Sequence, residues 1–319
     1  MLTKNEAIPL LNRLAGSSTA FSFYCDFKGE RWCIEENATD SPGPFRLSIA
    51  QLPAGSGTER LVFEKFPIAY EQYRHSFDHV VSEINYGNSF LTNLTFKTRI
   101  ETNLSLEEIY SASKAKYKLL VPGHFVVFSP ETFIKIHGNQ IFSYPMKGTI
   151  DAATPYARER ILADVKETAE HVTIVDLLRN DLSQVAEQVE VSKFRYLEEI
   201  ETNQKRLLQV SSEIRGKLPP DWKKNLGEIL SQLLPAGSIS GAPKPQTLEI
   251  IEQNESYDRG FYTGICGHFD GQSLDTGVMI RFIKEENNQF FYCSGGGITS
   301  FSEPEKEYRE MVDKIYLAI

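Results

Sequence analysis

This sequence has no excess of basic charge. Its 319 residues carry 43 acidic and 34 basic side chains, a formal charge of −9. Proteins that bind nucleic acid gain affinity by neutralising phosphates, so this balance argues against that class of partner. It also means that any anionic ligand would need cations gathered locally. Cysteine is sparse as well. Cys25, Cys33, Cys266 and Cys293 match no zinc or redox spacing, and four thiols in a chain of this length form no disulfide scaffold. No run of 18 apolar residues occurs, so no membrane-spanning helix is expected. The opening MLTKNEAIPLLNRLAG sets Glu6 beside Lys4, and its apolar run stops at Asn12 and Arg13, unlike a signal or transit peptide. A soluble, cytoplasmic protein with reduced thiols is the expectation. Repeats and low-complexity tracts are absent.

What is present is ordinary globular composition, 41% hydrophobic and 24% charged, with ample chain for a large core. Pro42, Gly43, Pro44, Pro53, Gly55 and Gly57 cluster between Asn37 and Thr58, which reads as a surface loop between early strands. Strand-like alternation recurs at FSFYCDF, RWCIE, SFLTNLTFKTRI, HFVVFS, TFIKI, QIFSYPM, VEVSKF, YTGICGHF, GVMIRFI and QFFYCS. Helical periodicity is strongest over Arg158–Val185 and Glu303–Ile319, and weaker over IAYEQYRHSFDHVVSEI, SLEEIYSASKAKY and KPQTLEIIEQN. Strands mostly follow strands through short turns. That order predicts an α+β fold, with antiparallel sheets and helices packed outside them, and argues against a Rossmann-type fold.

Several constellations could carry chemistry. With Gly138-Asn139 as a two-residue loop, ETFIKI and IFSYPMKGT form a hairpin that sets Glu131 opposite Met146 and beside Lys147. Pro145 and Gly148 make an ideal pleat improbable there. Lys147 reads either as an edge-strand lysine near a glutamate or as a nucleophilic amine, its pKa lowered by apolar neighbours. In Arg158–Val185, Glu167 and Glu170 lie one turn apart, opposite an apolar face of Ile161, Leu162, Val165, Ala169 and Val172. The last helix opens on the capping-box arrangement Ser302-Glu303-Pro304-Glu305 and then presents Glu307, Glu310 and Lys314. Each carboxylate pair fits a solvated helix face; two converging pairs would suit Mg²⁺. Tyr262 and Arg281 become direct cross-strand partners if Gly271-Gln272 is the intervening loop, and diagonal ones if it is Asp270-Gly271. Either way a phenol and a guanidinium lie together, a natural grip for a carboxylate. Ser294-Gly295-Gly296-Gly297 lets backbone approach a ligand, or marks a bulge. GSISGAPK lacks the glycine spacing of a P-loop, and packing is its expected role. Gly264-Ile265-Cys266-Gly267-His268 is one residue short of a nucleophile elbow, and His75 with His79 lacks a third metal ligand.

Together, Tyr144-Pro145-Met146-Lys147-Gly148-Thr149, Glu170-His171-Val172-Thr173-Ile174-Val175-Asp176-Leu177-Leu178-Arg179-Asn180-Asp181, Gly237-Ser238-Ile239-Ser240-Gly241-Ala242-Pro243-Lys244, and Gly295-Gly296-Gly297-Ile298 through Glu307-Tyr308-Arg309-Glu310 resemble the motifs of the chorismate-utilising enzymes. They occur in family order from about residue 85 to the end. The resemblance implies two large antiparallel sheets with helices outside, in one chorismate-binding domain over 1–319. Residues 1–84 would be its shortened N-terminal part and 85–319 the part bearing the motifs. Lysine at position 147 looks like the branch that makes 4-amino-4-deoxychorismate, on the route to 4-aminobenzoate and folate.

By resemblance, Glu170 and Glu310 are the Mg²⁺ ligands, supported by Glu167 and Glu307. Gly148, Thr149, Gly297 and Lys314 would help hold the ring carboxylate of chorismate, and Tyr262 and Arg281 the enolpyruvyl carboxylate. Glu131 would protonate the departing C4 hydroxyl while Lys147 attacks C2. Ammonia would come from a separate glutamine amidotransferase subunit, since no amidotransferase triad is visible. Two positions depart from the family. Gln209 stands where it has histidine, and can hydrogen-bond but not titrate. Leu91 stands where amination branches carry glutamine and hydroxylating branches lysine, which argues against isochorismate or salicylate synthesis. Anthranilate synthase component I, with Lys147 against it, is the neighbouring reading. A catalytically silent chorismate-binding subunit, suggested by Leu91 and Gln209, is the reading from another class.

Overall fold

The strand Phe125–Ser129 is buried along its whole length, and its alternate side chains serve two different cores. Phe125 and Val127 face a cluster with Tyr24, Tyr117, Cys266 and Phe282. Val126 and Phe128 face the other way, with Leu106, Ile109 and Ile283. A period of two in an unbroken apolar run is what a strand covered on both faces requires.

The computed structural model describes residues 1–36, 43–49, 61–201 and 206–319. Among these residues, the frame is two sheets, one of ten strands and one of eight, and every strand pairing is antiparallel. The larger sheet runs Leu2–Thr3, Arg31–Glu36, Phe21–Cys25, Ile265–Phe269, Leu274–Val278, Thr132–His137, Gln140–Ser143, Arg206–Lys217, Met146–Asp151, with Glu187–Glu201 also paired to Arg206–Lys217. The smaller runs Gly241–Ala242, Leu91–Thr102, Gln289–Ile298, Phe282–Glu286, Phe125–Ser129, Tyr117–Val121, Arg46–Ile49, with Phe63–Phe66 also paired to Leu91–Thr102. The sheets share one core. Lys4–Gly16, Val165–Ser183 and Leu226–Leu233 cover the outer face of the larger sheet. Tyr70–Tyr86, Lys244–Asn254 and Pro304–Asp313 cover that of the smaller. The expected fold class is therefore the observed one. Strands from before residue 85 enter both sheets.

Local readings fared unevenly. The expected helix Arg158–Val185 is two, Ala157–Ala163 and Val165–Ser183, broken at Asp164 in an extended conformation. The Asp164 carboxylate accepts from the Glu167 amide at 2.9 Å and caps the second helix. The break changes the helical phase, so Leu162, Val165 and Val172 are exposed, and Val175, Leu178 and Leu182 carry the packing instead. The last helix stops at Asp313. Its expected capping box is not formed: Ser302 Oγ accepts from the Thr299 amide outside the helix. The weaker SLEEIYSASKAKY segment is helical only over Leu106–Ala112. GVMIRFI splits between the sheets, ending one strand at Val278 and starting another at Phe282. Within the loop expected over 37–58, Arg46–Ile49 is a strand on Tyr117–Val121, while residues 37–42 and 50–58 lie outside the described residues.

The sheets approach closely where Gly277 meets Tyr117. A Cβ at Gly277 would lie 2.4 Å from the Tyr117 ring, whose hydroxyl donates to Asp275 Oδ1 at 2.7 Å on the opposite sheet. Gly277→Ala is therefore expected to push the ring from its site and destabilise the protein by about 1–3 kcal/mol. A lower urea midpoint with an unchanged m-value is the measurement; an unaltered midpoint refutes the account.

Candidate active site

Two crossovers build the site. The chain leaves the smaller sheet at Ser129 and joins the larger at Thr132; it returns between Val278 and Phe282. The two passages are tied together by backbone bonds, Val278 N donating to Glu131 O at 3.0 Å and Phe128 N to Arg281 O at 3.1 Å. Glu131 and Arg281 thus sit side by side on rigid backbone. Arg281 has φ 54° and Thr263, beside it, φ 62°. Left-handed backbone at a β-branched residue is strained, and such strain collects at functional sites. Tyr262 and Arg281 are not ladder partners of either expected kind. The register is that of the Gly271-Gln272 loop, Ile265 facing Val278, but the pairing ends before residue 281 because the strand departs for the other sheet.

The hairpin at Gly138-Asn139 has the expected register, His137 facing Gln140 and Lys135 facing Phe142. Beyond Ser143 it opens. Met146–Asp151 pairs with Arg206–Lys217 instead, so Glu131 does not face Met146. The register slips between Met146 and Thr149, and Gly148 takes φ 89°. This bulge at Lys147-Gly148 is the irregularity that Pro145 and Gly148 foretold, and a bulge re-aims a side chain. Lys147 Nζ reaches Glu170 Oε2 at 2.7 Å.

Between these elements lies a cavity of about 490 Å³ lined by Glu131, Lys147, Gly148, Thr149, Glu167, Glu170, Gln209, Tyr262, Arg281, Gly297, Glu310 and Lys314. Of the residues expected from sequence, Glu307 alone is outside the lining. It is buried, and its Oε2 would be 3.7 Å from a Cβ placed on Gly296. Leu91 also lines the wall and packs against Gly297, where a Cβ would stand 3.0 Å from its Cδ1. Gln209 faces Thr149 across the ladder. Lys314 Nζ bonds Glu310 Oε1 and the Gly295 carbonyl, each at 2.8 Å, and Arg281 Nε donates to the Tyr316 hydroxyl at 3.3 Å.

The titrating groups oppose one another. Burial pushes the Glu131 carboxyl above the usual range, against the pull of Ser238, Arg281 and Lys314. Burial likewise raises Glu167, aided by Glu170, Asp164 and Glu310. For Lys147 burial acts downward, but Glu170, Glu310 and Glu167 outweigh it and hold the ammonium above its ordinary value. This corrects the expectation of a lowered lysine: the apolar neighbours count for less than three carboxylates. Among the described residues no three His, Cys, Asp or Glu side chains form a ready-made metal centre. The donors that are present, Glu170 and Glu310 on separate helices, suit a hard ion that takes one or two carboxylates and completes its shell with water and ligand oxygens.

Sequence reasoning missed Ser238, whose hydroxyl donates to Glu131 Oε1 at 2.6 Å. A serine inside a glycine-flanked turn was the available signal for it. Two further polar lining residues, Asn93 and Ser294, have an Oδ1 and an Oγ that are buried and lack a hydrogen-bond partner among the described residues. Of the discounted features, GSISGAPK thus brings Ser238 to the cavity, whereas Cys266 is fully buried in a core strand and His79 is an exposed helix residue near Glu83 at 4.0 Å.

A buried acid and an amine thus line one cavity between two antiparallel sheets, with carboxylates on flanking helices, and comparison with known proteins places the chain among chorismate-utilising enzymes of the anthranilate synthase type. The chain belongs to the chorismate binding enzyme family, whose profile matches residues 19–319. It is 47% identical over 325 residues to an uncharacterized PabA-like protein of Haemophilus influenzae, covering 99% of this chain and 98% of that one. It is 35% identical over 195 residues to anthranilate synthase component 1 of Arthrobacter globiformis, covering 58% of this chain and 35% of that protein. Among solved structures, the menaquinone-specific isochorismate synthase of Escherichia coli superposes with TM-score 0.73 at 16% identity, over 98% of this chain and 81% of that one. Anthranilate synthase component I of Streptococcus pneumoniae superposes with TM-score 0.67 at 24% identity, over 84% of this chain and 60% of that one. These two superpositions establish the fold. No helix among the described residues is long and apolar enough to cross a membrane.

A raised carboxyl pKa has a consequence for stability. The protonated Glu131 is favoured by folding, so its contribution is full at low pH and is lost as pH rises through the folded-state value. Glu131→Gln, which keeps a neutral partner for Ser238, is expected to raise the urea midpoint at pH 8. The gain should shrink towards pH 4, where the wild-type carboxyl already holds its proton. A gain equal at both pH values would contradict the assignment.

Proposed function

We propose that this chain is the chorismate-converting component of an aminodeoxychorismate synthase, replacing the C4 hydroxyl of chorismate with an amino group. The observation that carries this reading is Lys147, an amine turned by a bulge into the same cavity as Glu131, whose carboxyl burial pushes above its ordinary range. Arg281 and Tyr262 would grip the enolpyruvyl carboxylate. The ring carboxylate would lie near Lys314 and the backbone of Gly148, Thr149 and Gly297. Mg²⁺ on Glu170 and Glu310, with Glu167 and Glu307 in support, would supply positive charge for that carboxylate and offset the glutamates that keep Lys147 protonated. With those charges offset, burial is the remaining influence on Lys147 and favours the neutral amine.

The neutral Lys147 amine attacks C2, the ring double bonds migrate, and the C4–O bond breaks as Glu131 gives its proton to the leaving oxygen, released as water. Ammonia then adds at C4, the double bonds return, and the C2–N bond breaks to free the lysine. The new ammonium group gives a proton back to Glu131. Atoms balance as chorismate plus ammonia giving 4-amino-4-deoxychorismate plus water. Leu91 supports amination, because an apolar wall offers no base to activate water. Ammonia from a separate glutamine amidotransferase fits a chain without a nucleophile elbow of its own. The function would serve 4-aminobenzoate and folate synthesis.

Purified protein given chorismate, ammonium and Mg²⁺ is expected to yield a product that an added lyase converts to 4-aminobenzoate. Anthranilate or isochorismate as sole product rejects the proposal, as does chorismate binding without turnover. Lys147→Ala should lower turnover by at least about 10²-fold with the fold intact. Glu310→Gln should raise the Mg²⁺ concentration needed for half-maximal rate, and an unchanged metal titration clears that residue of ligand duty.

A further inference from the structure

Ser238 is pinned from both sides by ion pairs that stand behind the cavity. On one side Lys244 Nζ lies 3.0 Å from Asp181 Oδ1, with side chains 17% and 8% exposed, and the Asp181 carboxylate packs against the backbone of Gly237. The fit is tight: a Cβ on Gly237 would be 2.6 Å from Asp181 Oδ2. On the other side Arg259, 2.6 Å from Glu255 with both side chains 2% exposed, donates to the Ile239 carbonyl at 2.8 Å. None of these four charged residues lines the cavity. What they hold does reach it, through the Ser238 hydroxyl on Glu131 Oε1 at 2.6 Å.

We propose that the Lys244–Asp181 pair is a positioning device for the proton on Glu131, acting through Gly237 and Ser238. Because Ser238 donates to Oε1, the acidic proton of Glu131 is left to Oε2. The hydrogen bond orients the carboxyl and also moderates how strongly it keeps that proton, since a donated hydrogen bond favours the ionised form. The other charged groups acting on Glu131 are Arg281 from the neighbouring crossover and Lys314 at the end of the last helix. Ser129 Oγ accepts from its amide and Val278 N donates to its carbonyl. The inference rests on Glu131 as the proton donor of the proposed reaction.

Ser238→Ala, Gly237→Ala and Asp181→Asn test it through two readouts. The first is the titration of the Glu131 carboxyl in the chorismate-free protein, followed by ¹³C NMR and assigned with Glu131→Gln. The second is the pH profile of chorismate consumption. Loss of the hydrogen bond is expected to move the Glu131 titration upward by about one to two pH units, the worth of one charge-assisted hydrogen bond. The basic limb of the profile should move with it while kcat falls. The sign is informative. Removing the Asp181 charge would by itself make Glu131 easier to ionise, and Gly237→Ala changes no charge, so an upward shift in both reports the displaced hydroxyl. In a Ser238→Ala background neither variant should add a further shift. If one of them does not fold, Lys244→Gln loosens the same pair from its more exposed end and is read through the same dependence on Ser238.

An unmoved Glu131 titration in folded variants overturns the inference, as do shifts that add to that of Ser238→Ala. Failure of the wild-type protein to aminate chorismate would reject the proposed reaction instead, and the titration would still decide the hydrogen-bond relay.

Discussion

The pair of backbone hydrogen bonds that ties the two sheet crossovers together is the constraint on which the site depends. Val278 N on Glu131 O and Phe128 N on Arg281 O lock the passages into one unit. An acid and a guanidinium that a flexible loop would leave free are therefore fixed by strands buried on both faces. The strained backbone at Thr263 and Arg281 persists only because that surrounding framework over-determines it. The other charged residues of the cavity arrive around this unit: Lys147 from a bulge in the larger sheet, Glu167 and Glu170 from the first turns of a helix capped by Asp164, and Glu310 and Lys314 from the last helix and the residue that caps it.

Net charge says little about how this site is arranged. The chain is acidic overall, yet its cavity brings Lys147, Arg281 and Lys314 to one place. Two of these cations are held by glutamates, Lys147 by Glu170 and Lys314 by Glu310. The ion pairs keep the buried charges tolerable, since an isolated charge in this setting would be far more costly than a paired one. They also set the protonation of Lys147 by outweighing burial. The charge on this amine therefore follows its carboxylate neighbours more than its apolar ones.

Legibility in the sequence followed the range of each interaction. The alternation at HFVVFS and TFIKI, the turn at Gly138-Asn139 and the apolar stripe of KPQTLEIIEQN all express local periodicity, and all appear in the structure. The Arg158–Val185 reading failed because one residue, Asp164, prefers to cap and breaks the phase. GVMIRFI looked like one strand because its two halves are equally apolar, although they belong to different sheets. Lys147, Glu131, Glu170, Glu310, Tyr262 and Arg281, expected from sequence to act together, do line one cavity. Ser238 was passed over as packing.

Pattern and residue chemistry were sufficient for the fold class and for most of the side chains around the cavity, because a two-residue period and a motif are properties of neighbours along the chain. The folded molecule alone decided the bulge that turns Lys147, the crossovers that seat Glu131 beside Arg281, and the contact between Ser238 and Glu131, which are 107 positions apart. Those outcomes, and the protonation of Lys147 with them, depend on distances between segments that meet only when two sheets and their covering helices close on one another, and no local pattern encodes such a distance.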